Sequence, residues 1–225
     1  MLPPMAIQSG HRTRRDILRL FKLHGGWLRH SDLVAAGHHP RWLMRLEAAN
    51  VISRVRRGLY RIAPPRAHTN QSLVDACKAV PGGVICLLSA LSFHDLTDAN
   101  PPDVYLAVGR GTWRPRVAYP PIRFFRFTNK QLNAGVFDTH AGFKTPRRVQ
   151  GRRETRPAAG PIRVFDREKT LCDCFRHRHV VGQDTLTAAL RKYLERRDRD
   201  IDGLLRMSRA CRVEKRIRPY LEALL

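Results

Sequence analysis

The sequence predicts an α+β fold in which three short helices and a β-hairpin precede a larger, mixed α+β unit. Three observations carry this. Apolar residues recur at helical spacing up to residue 50, two β-prone runs flank Arg56-Arg57-Gly58, and strand-like and helical segments follow Pro64-Pro65. The 225 residues suffice for two units with separate cores, and the proline pair marks the linker between residues 1–66 and 67–225.

Residues 12–24 read as the first helix, with Ile17, Leu20 and Phe21 on one face and Arg12, Arg14, Arg15, Arg19 and Lys22 elsewhere, ended by Gly25-Gly26. Ser31 stands before Asp32-Leu33-Val34-Ala35-Ala36, where its hydroxyl would cap a second helix that stops at Gly37. Pro40 suits the first position of a third helix, since its missing N–H would have no partner there, and Asn50 is a plausible stop. Val51–Val55 and Leu59–Ile62 form a hairpin around Gly58, which can take positive φ. In this order these are the ingredients of a winged helix-turn-helix.

Beyond the linker, residues 69–79 and 84–95 read as helices, and Asp103–Val108 and Ile122–Phe127 as strands, with residues 135–140 and 161–165 as further candidates. Helices are expected at 167–177, 183–196, 201–210 and 214–224, the second carrying the stripe Leu186, Leu190 and Leu194. Residues 143–159 hold Lys144, Arg147, Arg148, Arg152, Arg153 and Arg156 against Glu154 alone, and read as a basic loop or irregular hairpin.

Charge points to the partner. Lys and Arg number 42 against 19 Asp and Glu, a net +23, which is far beyond what solubility requires and calls for a polyanion. Residues 1–66 are the densest block, with 13 basic and three acidic side chains. No apolar run approaches the roughly 20 residues of a membrane-spanning helix, and the start Met-Leu-Pro-Pro-Met-Ala lacks the build of a secretory signal. Cys77, Cys86, Cys172, Cys174 and Cys211 are odd in number and mostly set in apolar stretches, as in a reducing compartment. A cytoplasmic protein without disulfides or membrane contact is expected.

The third helix supplies the reading face. Leu43 and Leu46 point to the core, whereas Arg41, Arg45 and Ala48 share the opposite side and would enter a major groove, where the planar arginine fork matches O6 and N7 of guanine. His38, His39 and Trp42 stand near the end of that helix that meets bases, and Trp42 is equally open to a core-packing role. Arg54, Arg56, Arg57 and Arg61 on the hairpin would reach phosphates, and Ser31 completes the candidate set.

The chain offers no convincing catalytic or metal-binding constellation, and no cofactor is expected. Cys172, Cys174, His177 and His179 have a zinc-like look, but on a helix residues 172 and 174 diverge by about 200°. Asp166-Arg167-Glu168-Lys169 superficially suggests a Mg-dependent nuclease, yet metal-dependent cleavage needs carboxylates converging from separate elements, and Asp166 as a helix cap is simpler. Ser89 and Ser92 near His94 and Asp95 lie on one short helix and form no nucleophile line, and Gly109-Arg-Gly111 is too short to cradle phosphate. An RNA-binding factor is allowed by charge but less favoured by the helix-turn-helix order.

Four stretches together resemble a known family: Ser31–Gly37, the wing Val51–Ile62, Leu87–His94 and Ile162–Asp173. The chain is similar to the AbiEi-type antitoxins of type IV toxin-antitoxin systems, which are tied to abortive phage infection. The resemblance implies a transcriptional autorepressor whose winged domain binds inverted repeats in its own promoter, monomeric in solution and cooperative on DNA. It also implies an AbiEi-like C-terminal domain that counters an AbiEii-type nucleotidyltransferase toxin, and a positively charged surface built by both domains. Some relatives regulate without a toxin partner. Segment 143–159 is longer than the family's usual connection before the Ile162 strand.

Overall fold

A computed structural model describes residues 5–63, 70–140 and 161–224; the expected linker Pro64-Pro65 and the basic segment 143–159 lie outside the described residues. The chain is mixed α+β. Its N-terminal part holds helices α1 (Met5–Leu23), α2 (His30–Ala35) and α3 (Arg41–Ala48) and strands β1 (Trp27–Arg29), β2 (Ile52–Arg56) and β3 (Leu59–Ile62).

Ile17, Phe21, Leu28, Leu33, Leu43, Leu46 and Ile52 form the core that these elements share. Burying a side chain of this size stabilises by about 1.5–3 kcal/mol, so the apolar spacing decides which helix faces turn inward. Gly25 and Gly26, at φ +66° and +92°, turn the chain out of α1 and straight into β1, a strand the sequence reading missed because it is three residues long. β1 gains its partner only in tertiary structure: it pairs antiparallel with β3, giving a sheet ordered β1-β3-β2.

Helix boundaries differ from expectation: α1 begins at Met5 and not at residue 12, and the starts of α2 and α3 are also shifted. Ser31 does not cap α2; it lies inside the first turn, and Asp32 folds its carboxylate back to accept the Arg29 N–H at 3.2 Å. Pro40 stands one position before α3, as its N-cap. The stop at Asn50 is as expected: at φ 51° its N–H bonds the Glu47 carbonyl (2.9 Å), and the Val51 N–H bonds that of Leu46 (2.9 Å), a Schellman closure. In the hairpin Gly58 takes φ +76°, and its carbonyl accepts the His30 N–H (3.0 Å), which ties the turn to the start of α2.

The second sheet runs in the order β6-β5-β4-β8-β7, from β4 (Val84–Ile85), β5 (Val104–Gly109), β6 (Ile122–Phe127), β7 (Val136–His140) and β8 (Pro161–Phe165). β5 alternates perfectly between two cores. Val104, Leu106 and Val108 face the layer of α4 (Gln71–Ala79), whereas Tyr105 and Ala107 face α5 (Leu87–Phe93), α7 (Arg167–Arg176), α9 (Gln183–Leu194), α10 (Ile201–Ala210) and α11 (Glu214–Leu224). A strand covered on both faces reads as an unbroken apolar run, which is why it was legible.

Residues 84–95 are not one helix. Val84–Ile85 is the central strand, Cys86 is extended, and α5 starts only at Leu87. Two short helices, α6 (Asn129–Asn133) and α8 (Arg178–Val181), were also missed. The two sheets share one apolar layer, in which Trp27, Val55 and Leu59 pack with Leu73, Val74 and Val80.

Candidate nucleic-acid interface

α3 presents Arg41, Met44, Arg45 and Ala48 to solvent while Leu43 and Leu46 are buried beneath. The guanidinium of Arg45 lies 5.3 Å above the Trp42 ring, a cation–π contact that restricts the long side chain. Trp42 is half-buried against the N-terminal core, so one aromatic side chain serves packing and supports Arg45. His39 uses Nδ1 to accept the Arg41 N–H at 3.1 Å, which closes one of the open donors at the start of α3. His38 is half-buried, and Ser31 is exposed, its hydroxyl donating to Asp32 Oδ1 at 3.3 Å.

The wing arginines divide into two groups. Arg54 and Arg57 are exposed. Arg56 is partly buried; its Nε has no hydrogen-bond partner among the described residues, and burial, followed by nearby Arg29, pulls its pKa below the ordinary value. Arg61 is not available as expected. Its side chain is only 12% exposed, its Nη1 bonds Asp75 Oδ2 at 2.6 Å, and its Nε bonds Ser53 at 3.1 Å. The cause is tertiary: β3 is flanked on one side by α4, whose Asp75 needs a counter-ion.

Asp75 is fully buried and also accepts from Trp27 Nε1 and Gln71 Nε2, each at 3.1 Å. Burial pushes its carboxyl above the usual range, against the opposing pull of Arg61, Gln71 and Trp27.

Two contributors to this face escaped the sequence reading. Met44, 73% exposed, completes the i, i+3, i+4, i+7 stripe with Arg41, Arg45 and Ala48, and that spacing alone could have found it. The loop between β5 and β6 carries Arg110, Trp113, Arg114 and Arg116 and runs beside the wing, where the Ala118 N–H donates to the Val55 carbonyl at 3.0 Å. Trp113 is 74% exposed there, and no local pattern signals that proximity.

The residues weighed as catalytic or metal-binding are mostly engaged in capping, ion pairing or core packing. Asp166 caps α7 by accepting the Lys169 N–H at 2.7 Å, as expected; Glu168 accepts from the Tyr193 hydroxyl at 2.6 Å; Lys169 is buried in an ion pair with Asp173. Cys172 faces the Leu204 carbonyl at 4.0 Å, Cys174 is buried in the core, His177 packs edge-on against Phe125, and His179 is exposed. Among the described residues no group of three or more His, Cys, Asp or Glu is arranged to hold a metal ion. Ser89 Oγ accepts the Tyr105 N–H at 2.9 Å, and His94 Nε2 meets the Phe165 carbonyl at 2.7 Å, so both act as core polar groups.

Residues 15–63 match the family model described as transcriptional regulator, AbiEi antitoxin. Over that segment the chain is similar to AbiEi antitoxins. The AbiEi match runs from within α1 to the residue after β3, and so contains the α3 face and the wing. No curated protein matches the chain. Among the described residues no helix is long and apolar enough to cross a membrane.

Proposed function

We propose that the N-terminal unit, residues 1–66, is a winged helix-turn-helix that lays α3 in the major groove of duplex DNA. The chain is then a cytoplasmic, non-enzymatic autorepressor that binds inverted repeats in its own promoter, monomeric before it binds and cooperative once there. Residues 67–225 form the antitoxin domain that counters a nucleotidyltransferase toxin. The observation that carries the reading is the outward face of α3, on which Arg41, Met44, Arg45 and Ala48 are exposed around a core held by Leu43 and Leu46. Arg41 and Arg45 read base edges, Ala48 allows close approach, and Met44 offers an apolar contact to a thymine methyl. His38, His39, Ser31 and Trp42 support the groove-facing end, and Arg54, Arg56 and Arg57 set register on phosphates. Arg61 is left out of this set because Asp75 holds it.

The test is footprinting and titration on DNA upstream of the gene. Arg45→Ala should cost about 1–3 kcal/mol on the specific site and relax preference at one base pair. Arg57→Ala should weaken all sequences alike and reduce the salt slope by about 1. Equal losses on specific and random DNA for Arg45→Ala would sink the assignment of base reading to α3.

A further inference from the structure

Away from the wing, α6, α7 and the turn between α10 and α11 enclose a cavity of about 550 Å³. Lys130, Lys169, Arg176, Arg212 and Arg216 line it, and no carboxylate does. Its volume is within the range of small-molecule sites. At the inner end, Lys169 is fully buried, lies 5.0 and 4.4 Å from the ring centres of Phe127 and Phe165, and is neutralised by Asp173. That leaves Lys130, Arg176, Arg212 and Arg216 around one space, none of them in an ion pair among the described residues. The nearest acid in sequence, Glu214, is engaged by Arg209 and Arg218.

The cations are also positioned. Arg176 donates to the Cys211 carbonyl through one Nη, which orients the guanidinium and leaves its other donors for a ligand. Arg212 occupies the residue after the α10 cap at φ 56°, where its N–H bonds the Arg209 carbonyl (3.0 Å) and the Val213 N–H bonds that of Ser208 (2.8 Å). Glycine usually fills that position, so the turn carries an arginine where a residue without a side chain would be the easier choice. Four like charges around a partly enclosed space repel one another, and a multiply charged anion removes that repulsion while matching the fork geometry of the guanidinium groups.

We propose that this cavity is a binding site for the phosphate groups of a small, polyphosphorylated ligand. Ala134, Ala210 and Val213 offer apolar wall for the remainder of such a molecule. The test is calorimetric titration of the full chain with pyrophosphate at 0.15 M salt, and with inorganic phosphate for comparison. The expected result is one saturable site, at least tenfold tighter for pyrophosphate than for phosphate. Arg212→Gly should weaken it at least fivefold without lowering the melting temperature, because glycine suits the turn, and Arg212→Gly with Arg216→Ala should weaken it further. Arg14→Ala with Arg15→Ala, a like change in charge on the exposed side of α1, should leave it within twofold. Many weak sites, wild-type affinity in Arg212→Gly, an equal loss in the α1 double variant, or displacement of pyrophosphate by duplex DNA would each overturn the proposal.

Discussion

Removing the Asp75 carboxylate tests whether the first sheet is held against α4 as described. Asp75→Ala deletes the acceptor for Arg61 at 2.6 Å and for Trp27 Nε1 and Gln71 Nε2 at 3.1 Å. The stranded Arg61 side chain is 12% exposed, and loss of one member of a buried pair costs about 3–5 kcal/mol, because the remaining charge has no counter-ion. Trp27 is 6% exposed, so its orphaned N–H adds about 1 kcal/mol or more, whereas the partly exposed Gln71 amide can turn to water. The expected loss is about 4 kcal/mol, read by urea unfolding followed through tryptophan fluorescence and helical circular dichroism. Asp75→Asn is not a silent replacement, since its amide nitrogen must face either Arg61 or the Trp27 and Gln71 donors. Arg61→Leu in that background should recover at least about 2 kcal/mol as coupling energy. A loss below about 1 kcal/mol for Asp75→Ala, or strict additivity of Arg61→Leu and Asp75→Asn, would refute the reasoning.

Other expectations follow from single groups. Gly135→Ala should lower stability by about 2–4 kcal/mol: Gly135 sits at φ +64°, and a Cβ there would lie 2.6 Å from Asp166 Oδ2 and 2.8 Å from Lys169 Cβ; an unchanged melting temperature would contradict this. Burial pulls the His94 pKa from 6.5 to about 4, so the folded state binds fewer protons and the stability contributed above pH 6.5 is lost toward pH 4, by roughly 3 kcal/mol. A His94→Gln variant with the same acid sensitivity as the wild type counts against that assignment. Asp166 behaves oppositely: burial raises its carboxyl from 3.8 to about 6, so its contribution is present below pH 4 and lost as pH rises through 6, by up to roughly 3 kcal/mol. Asp166→Asn keeps an N-cap acceptor, and its stability relative to wild type should rise between pH 4 and pH 7; a constant difference in urea unfolding would overturn the argument.

Legibility in the sequence followed the range of the interactions. The α3 boundary at Asn50, the hairpin turn at Gly58 and the Asp166 cap depend on backbone preferences of one or two residues, and each is where local chemistry places it. β1 and β4 were missed because strands of three and two residues carry no period of their own; neighbours make them strands. Ser31 was misjudged because two acceptors compete for the same helix end, and Asp32 reaches back to the Arg29 N–H. On the candidate face, the α3 residues were readable from spacing, while the withdrawal of Arg61 depends on Asp75, 14 residues away.

The placement of the acids, more than that of the bases, shapes the field of this chain. Ion pairs among the described residues fall mostly beyond residue 66, where Asp138, Asp173, Asp198, Asp200 and Glu214 take up arginines and a lysine. Apart from the buried Lys169–Asp173 pair, these contribute little stability, but each cancels a charge within a few ångströms, well inside the roughly 8 Å screening length at physiological salt. In α1 to β3 the described pairs are Arg19 with Asp16 and Arg61 with Asp75, which leaves Arg41, Arg45, Arg54 and Arg57 exposed and unneutralised. Residues 1–66 hold 13 of the 42 bases and three of the 19 acids, which makes them the densest part of a surplus that is spread over the whole chain. The α3 face and the wing are therefore one place where cations stand without acids, and the partly enclosed cavity beside Arg212 is a second.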